Sequence, residues 1–270
     1  MTLSKENSLP FFDEHWLSFG PPDANVNHIF AWIIGFVLVT SVIGNGLVCI
    51  TILRFEKLRK RMIFVVNLCI SDMISPIFTY PLFIASSLNG QWMFPPWVCS
   101  VYAFLQGLCA LVSICSLTVI AWMVYAQISC PNGRWATMTK IESAGIITII
   151  WIYSFISVGP PLFGISRFVP AGFLTTCCFD YITRSAEAKV FVVFWTPYAV
   201  VAIIGQFGPK GIVTPLLNMI PSLMTKSSTM YNPFILILED KELRKCLVSM
   251  LWSGSENTLD DVVNSDNESD

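Results

Sequence analysis

The stretch VCSVYAFLQGLCALVSICSLTVIAWMVYAQI, which runs from Val98 to Ile128, contains no Asp, Glu, Lys or Arg. A helix that crosses the hydrocarbon core of a bilayer needs about 20 apolar residues, within a range of roughly 17–25. This stretch is long enough to do so. A helix of a water-soluble protein would carry a polar face, which this stretch lacks. The run therefore predicts a membrane-spanning helix.

Five further hydrophobic runs share this near absence of charge. Hydrophobic residue types make up 54% of the chain and charged types only 13%, against about 25% charged residues in soluble domains. The net charge of -2 argues against nucleic acid as a partner. The sequence thus predicts an all-α membrane protein with six hydrophobic segments, embedded in lipid. The further runs are 28–53, 62–88 with Asp72, 143–163, the short 190–207, and 211–238 with Lys226.

Basic residues predict the orientation of this bundle. The connection 54–61 carries five basic residues, and the positive-inside rule places it in the cytoplasm. The segment 1–27 is then extracellular, and without a recognisable cleavable signal peptide the first run is expected to act as the anchor. The predicted transmembrane domain is 28–238. A cytoplasmic amphipathic helix at 239–252 and an acidic tail at 253–270, expected to be disordered, follow it.

The number of spans conflicts with this orientation. Six alternating spans would place 239–252 outside the cell, although its lysines and arginines are typical of a cytoplasmic segment. One additional span between Tyr181 and Ala186 would remove the conflict. A span with its loop needs on the order of 40–60 residues, and the sequence has no room for them there. The chain is therefore predicted to lack one transmembrane span.

Lys226 is the most informative residue of the last run. It lies midway between Pro215 and Leu238, near the bilayer midplane if the run is helical. A lysine at that depth costs several kcal/mol and usually marks function. Its amine can act as a nucleophile toward an aldehyde. The alternative is a lysine that snorkels to the membrane surface or forms an ion pair with Asp72.

The residues around Lys226 read Met224-Thr-Lys-Ser-Ser-Thr-Met-Tyr-Asn-Pro-Phe-Ile235. This segment resembles the seventh helix of opsins, where a lysine forms the retinal Schiff base five residues before Tyr-Asn-Pro. The resemblance implies that 11-cis-retinal is bound at Lys226. It also implies an invertebrate-type opsin, a rhodopsin-like class A G-protein-coupled receptor. The implied protein is a multi-pass light receptor of the cell membrane and not an enzyme.

Motifs in other runs extend the resemblance. Asn45, Asp72 and Asn232 match the polar network of class A receptors. The segment Trp195-Thr-Pro-Tyr198 is similar to the sixth-helix motif of the family. The resemblance implies that its Trp packs against the chromophore, with Tyr198 beside it, and that its Pro kinks the helix.

Four cysteines carry separate expectations. Cys99 and Cys177 match the extracellular disulfide of the family, with Cys178 as the competing partner of Cys99. Cys246 lies in the short helix after the last span, which often carries palmitate in this family. A free thiol at Cys246 is the alternative. No metal site is predicted.

The counterion positions of the family are both occupied by uncharged residues. A protonated Schiff base in a low-dielectric environment needs a nearby carboxylate. By resemblance, one family position corresponds to Tyr102, which faces the chromophore, and the other corresponds to Ala171. We therefore expect a Schiff base at Lys226 to be largely unprotonated and to absorb in the ultraviolet.

Two signalling motifs and one helix of the family are missing. Where the third helix should end in Glu- or Asp-Arg-Tyr, the chain reads Met123-Val124-Tyr125, and Leu236 replaces the Tyr of Asn-Pro-x-x-Tyr. These departures count against coupling to a heterotrimeric G protein. By resemblance the missing span is the fifth helix. Two alternatives to an opsin receptor therefore remain: a retinal photoisomerase or retinal-binding protein without G-protein coupling, and a non-functional truncated isoform.

Overall fold

The computed structural model describes residues 11–129, 138–180, 182 and 214–252. The predicted segment 190–207, with Trp195 and Tyr198, and the predicted tail 253–270 lie outside the described residues. The elements in chain order are α1 Glu14–Leu17, α2 Ala24–Arg54, α3 Glu56–Arg61, α4 Ile63–Leu88, α5 Pro96–Ser129, α6 Lys140–Val158, a 3-10 turn Pro160–Phe163, β1 Phe168–Ala171, β2 Thr176–Phe179, α7 Pro215–Glu239 and α8 Lys241–Trp252.

Four of the described helices, α2, α4, α5 and α6, are long and apolar enough to cross a membrane. They correspond to four of the six hydrophobic runs predicted from the sequence. The helix α7 corresponds to the last run but is more polar, and it is not among the four. Large apolar side chains such as Trp32, Phe36 and Ile128 are exposed on the outer surface of the bundle. An outer surface of this kind suits lipid rather than water.

The helix α2 begins at Ala24, before the predicted start of the first run at His28. The reason is local, because the side chain of Asp23 accepts a hydrogen bond from the backbone N–H of Asn25 at 2.9 Å. Such a cap satisfies one of the unpaired donors at a helix start. At the other end, the backbone N–H of Phe55 bonds to Thr51, and the chain continues directly into α3.

The helices pack in a chain of neighbours in which α2 contacts α4 and α7, α4 contacts α5, and α5 contacts α6. Asn67 on α4 connects three of them. Its amide nitrogen donates to Ser116 Oγ of α5, and its carbonyl oxygen accepts from Trp151 Nε1 of α6, both at 2.9 Å. Buried amides without partners are costly. These two hydrogen bonds therefore specify how the three helices meet.

The helices α2 and α7 approach closely at Gly44. A Cβ atom built at Gly44 would lie 2.8 Å from Cγ of Pro233, whereas one at Gly46 would meet Met73 Sδ at 3.8 Å. The first distance is a clash with a rigid ring. The second is an ordinary van der Waals contact.

We expect Gly44→Ala to destabilise the protein by about 1–3 kcal/mol, because the ring of Pro233 cannot move aside without displacing α7. Gly46→Ala is the matched control on the same helix. It should be neutral or stabilising, since Ala is favoured over Gly in helices by about 1 kcal/mol. The measurement is the midpoint of thermal unfolding of both purified variants in detergent. Equal midpoints would contradict the close approach.

One end of the bundle, called here the hairpin end, is covered by the antiparallel strands β1 and β2. Their register pairs Phe168 with Phe179 and Ala171 with Thr176. The described disulfide Cys99–Cys177 joins β2 to the start of α5, with the two Cα atoms 5.5 Å apart. The hairpin is thereby fixed across the ends of the helices.

The segment around α1 packs on the outside of the hairpin. Trp16 is buried against Ala171. Arg167, just before β1, forms an ion pair of 2.8 Å with the buried carboxylate of Asp180 and contacts Asp13 at 3.6 Å. These contacts add a second layer over the end of the bundle.

The opposite end, called here the α8 end, is formed by α3 and α8. Lys57 pairs with Glu242 at 3.0 Å, and Arg61 pairs with Asp240 at 2.8 Å. These pairs are partly exposed, so each contributes only about 0–1 kcal/mol. A buried apolar cluster beneath them, which includes Leu243, does more to hold α8 in place.

Candidate functional site

A cavity of about 260 Å³ lies beneath the hairpin, between α4, α5 and α7. This volume is close to the lower end of the range of about 300–1,000 Å³ for small-molecule sites. Most of its wall is apolar. The polar groups that reach it include Gln106, Ser222 and Lys226, with Asp72 further from the hairpin.

Lys226 is placed in this cavity by α7, and its side chain is only 5% exposed. Its Nζ donates hydrogen bonds to Ser222 Oγ at 2.9 Å and to Gln106 Oε1 at 3.1 Å. Two aromatic rings flank the amine, with centroids 5.6 Å away for Phe83 and 6.0 Å away for Tyr102. The amine is therefore held inside the bundle by uncharged groups, and it does not snorkel.

No carboxylate among the described residues lies within ion-pair distance of the Lys226 amine. The pairing with Asp72, considered from the sequence, is not present. Asp72 Oδ1 instead accepts from Ser113 Oγ at 2.5 Å, and its Oδ2 accepts from Asn232 Nδ2 at 2.6 Å. These two hydrogen bonds hold the Asp72 carboxylate deeper in the bundle, away from the hairpin.

The three residues of the predicted polar network are only partly brought together. Asp72 on α4 and Asn232 on α7 bond directly, at 2.6 Å. Asn45 on α2 donates instead to the backbone oxygens of Ser41 and Thr229, both at 2.9 Å. It therefore joins α2 to α7 without contacting the carboxylate of Asp72.

Both predicted counterion positions lie at the hairpin and are uncharged. Tyr102 is buried on α5, and its hydroxyl shares a hydrogen bond of 3.0 Å with Thr176 Oγ1 on β2. Ala171 is fully buried on β1. The predicted aromatic residues Trp195 and Tyr198 lie outside the described residues.

The disulfide pairs Cys99 with Cys177, and the competing Cys178 remains a free thiol. Cys178 also lines the cavity. Burial, followed by the nearby carboxylate of Asp180, raises the pKa of the Cys178 thiol to about 12. The thiol is therefore uncharged at neutral pH and supplies no negative charge to the cavity.

Gln106 and Ser222 were not identified from the sequence, although both contact Lys226. A signal for Gln106 was available. It is a polar residue in a charge-free run. It follows Tyr102 by four residues and Cys99 by seven, so the three side chains share one face of the helix. Ser222 precedes Lys226 by one helical turn, so it too shares a face with the lysine.

The α8 end carries the two departures from the family's signalling motifs. Val124 and Tyr125 on α5 are exposed on the outer surface. Leu236 on α7 packs against an apolar cluster that contains Val48 and Leu243. Nothing polar replaces the missing arginine or tyrosine at these positions.

Cys246, the candidate for lipidation, lies in the same apolar cluster and is 7% exposed. Burial, followed by the carboxylates of Glu242 and Asp240, raises the pKa of its thiol. A thiol that is buried and protonated is a poor nucleophile. The geometry thus favours the free-thiol alternative, and acylation would require the side chain to turn outward.

Comparison with known proteins identifies the family. The profile described as 7 transmembrane receptor (rhodopsin family) matches residues 44–192, which is more than half of the chain. The chain therefore belongs to the rhodopsin family of seven-transmembrane receptors.

The chain is also similar to rhodopsins and melanopsins within that family. It is 28% identical to the GQ-coupled rhodopsin of Mizuhopecten yessoensis over 86% of this chain and 61% of the relative. It is 26% identical to the melanopsin of Rattus norvegicus over 87% of this chain and 65% of the relative. The chain thus spans less than two thirds of the length of either protein. These relatives are receptors rather than enzymes, in agreement with the prediction.

The fold matches that of the crystal structure of squid rhodopsin, with a TM-score of 0.83, 22% sequence identity and 90% of each chain covered. The all-α membrane bundle predicted from the sequence is confirmed. The alignment to the Mizuhopecten yessoensis rhodopsin extends over 305 residues, more than the whole of this chain. That relative therefore has residues inside the aligned region that this chain lacks, which agrees with the predicted loss of a span.

Proposed function

We propose that this protein is an opsin-type photoreceptor that binds 11-cis-retinal through a Schiff base at Lys226. The observation that carries the proposal is the Lys226 amine, which is buried in an apolar cavity and hydrogen-bonded only to uncharged acceptors. A midplane lysine is retained at a cost in stability. A covalent ligand accounts for its presence, because no carboxylate in the described part of the chain forms an ion pair with it.

The residues around the cavity fit a long apolar aldehyde. Lys226 Nζ is the nucleophile, and its condensation with an aldehyde releases water. Ser222 and Gln106 orient the amine by accepting hydrogen bonds from it. The ring of Tyr102 forms part of the wall, and the hairpin above it limits the access of water. Retinal, when bound, would supply the absorption of light and the change of shape.

We place the protein in the cell membrane as a multi-pass protein with an extracellular hairpin end. Two features support this orientation. The basic residues of α3 and α8 lie together at the α8 end, as the positive-inside rule requires of a cytoplasmic face. The disulfide Cys99–Cys177 lies at the other end, where an oxidising environment would preserve it. The segment 1–27 would then be extracellular and 239–252 cytoplasmic.

Signalling through a heterotrimeric G protein is the family role and is part of the proposal. A second candidate is a retinal photoisomerase or retinal-binding protein without such coupling. Met123, Val124 and Tyr125 favour this second candidate, since they leave no arginine at the α8 end of α5. A non-functional truncated isoform is the third candidate. Such a protein would neither bind retinal nor reach the cell surface.

The test is incubation of the purified 270-residue chain with 11-cis-retinal in the dark, followed by borohydride reduction and peptide mass spectrometry. An adduct on the Lys226 peptide supports the proposal. Light-dependent nucleotide exchange on a purified G protein would then support signalling. Light-dependent change of the retinal isomer without nucleotide exchange would support the second candidate. A folded protein without any adduct would overturn both.

The retinal adduct is expected to absorb in the ultraviolet at neutral pH. The reason is electrostatic, because no described carboxylate approaches Lys226 Nζ to stabilise a protonated Schiff base. The measurement is the absorption spectrum of the dark pigment, recorded before and after acidification. Acid should produce a visible band. A visible maximum already present at neutral pH would show that an acid faces the linkage after all.

A further inference from the structure

We propose that Tyr80 is a positioning residue for the reaction of Lys226, because its hydroxyl fixes the backbone of the turn from which the lysine side chain extends. The proposal rests on the proposed function and adds to it a residue that acts through the backbone. The Tyr80 hydroxyl donates a hydrogen bond of 2.8 Å from α4 to the backbone oxygen of Lys226 on α7. Tyr80 itself is buried. The acceptor therefore belongs to the same residue that would bind retinal.

A second hydroxyl reaches this backbone oxygen from within α7. Thr229 Oγ1 donates to the Lys226 oxygen at 2.9 Å, and it lies 2.7 Å from Ser41 Oγ of α2. A hydroxyl has one hydrogen to donate. Since Thr229 gives its hydrogen to Lys226, Ser41 is the donor in the contact between the two hydroxyls. Tyr80, Thr229 and Ser41, called here the hydroxyl clamp, thus connect α4 and α2 to one carbonyl of α7.

The far end of the lysine side chain is held as well. Its Nζ donates to Ser222 and Gln106, and the ring of Phe83 lies beside it. Phe83 follows Tyr80 by three residues, so one face of α4 accompanies the lysine from its backbone to its amine. The stem between these two ends is a flexible chain of four carbons. A shift of the backbone would therefore displace the amine.

The position of the amine matters more for retinal than for a small aldehyde. Retinal is long and rigid, so the cavity wall determines where its carbonyl carbon lies. The amine has to meet that carbon in the correct geometry, and a misplacement of about 1 Å can cost about 100-fold in rate. A small aldehyde can instead move to the amine. Loss of the Tyr80 hydroxyl should therefore slow the reaction with retinal and spare the reaction with a small aldehyde.

Tyr80→Phe removes the hydroxyl and keeps the ring. We expect the maximal rate of adduct formation at saturating 11-cis-retinal to fall about 10-fold. The retinal concentration that gives half of this rate should not change, because the cavity wall is intact. Alkylation of Lys226 by propionaldehyde and cyanoborohydride, measured on the Lys226 peptide, should proceed at the wild-type rate. An unchanged rate with retinal, or equal losses with both aldehydes, would overturn the proposal.

Thr79→Val is the matched control. Thr79 is buried beside Tyr80, and its hydroxyl donates to the backbone oxygen of Ser75 within α4 at 2.7 Å. The variant thus removes a buried hydroxyl from the same helix without removing a bond to α7. Both rates should stay at the wild-type value. A slowing equal to that of Tyr80→Phe would show that loss of any buried hydroxyl from α4 suffices, and would overturn the role of Tyr80.

The hydroxyl clamp is also tested without retinal, by hydrogen–deuterium exchange of the backbone amides in the peptide 224–235. Exchange there should rise several-fold in Tyr80→Phe and in Thr229→Val, since each variant frees this turn to open locally, and it should not rise in Thr79→Val. A wild type that forms no retinal adduct counts against the proposed function alone. Wild-type exchange in Tyr80→Phe would overturn the proposal, and Thr229→Val decides in the same way if Tyr80→Phe does not fold.

Discussion

Lys226→Ala is expected to abolish the covalent retinal adduct completely. The substitution removes the amine that lies in the cavity and leaves Ser222 and Gln106 without their shared donor. Other lysines in the described residues, such as Lys57 and Lys140, lie near the helix ends and do not reach the cavity. The loss should therefore be total rather than partial. It is measured as the fraction of protein carrying the retinal mass after borohydride reduction.

A matched control separates loss of the nucleophile from loss of the fold. Lys140→Ala changes a lysine at the first position of α6, far from the cavity, and should leave adduct formation unchanged. The thermal unfolding of Lys226→Ala should not fall below that of wild type, because a buried amine is removed from an apolar site. Persistence of the adduct in Lys226→Ala would mean that a different amine binds retinal.

Cys177→Ala is expected to cause the second largest effect, the loss of most of the folded protein. The disulfide closes a loop of 78 residues, and removal of such a crosslink costs about 2–5 kcal/mol. The hairpin, which covers the cavity, should lose its attachment to α5. The measurement is the yield of protein at the cell surface and the unfolding midpoint of what is purified. Both should fall sharply, and any retinal adduct should become accessible to hydroxylamine.

Cys178 provides the control for this experiment. Cys178→Ala removes a free thiol next to the disulfide and should change stability far less than Cys177→Ala. The double variant Cys177→Ala/Cys178→Ala tests whether Cys178 can replace its neighbour as partner of Cys99. If Cys177→Ala is stable and the double variant is not, the pairing with Cys99 is interchangeable. If both are as stable as wild type, the hairpin does not depend on a disulfide.

These experiments also test whether the chain functions with the predicted loss of one span. The described helices α4, α5, α6 and α7, with the hairpin, build the cavity wall around Lys226 without the predicted missing helix. A Lys226-dependent adduct would show that this wall is sufficient for retinal. Retention of the wild type inside the cell, with no adduct, would favour the reading of a non-functional isoform.

The sequence alone determined the class of fold and the residue at its centre. Long charge-free runs are a local property, and a bilayer imposes the same length on every helix that crosses it. The position of Lys226 inside such a run, with Tyr-Asn-Pro at the family spacing, needed no tertiary information. Cys99 and Cys177 were predicted as partners by resemblance, and the structure contains that disulfide.

The tertiary structure decided which groups meet the amine. From the sequence, Asp72 was a candidate partner of Lys226, since both are charged residues in apolar runs. The packing of α4 against α7 instead directs Asp72 to Asn232 and Ser113. Gln106 reaches Lys226 because the disulfide and the helix period turn one face of α5 toward α7. Contacts across more than a hundred residues depend on helix rotation and crossing angle, which local sequence patterns do not specify.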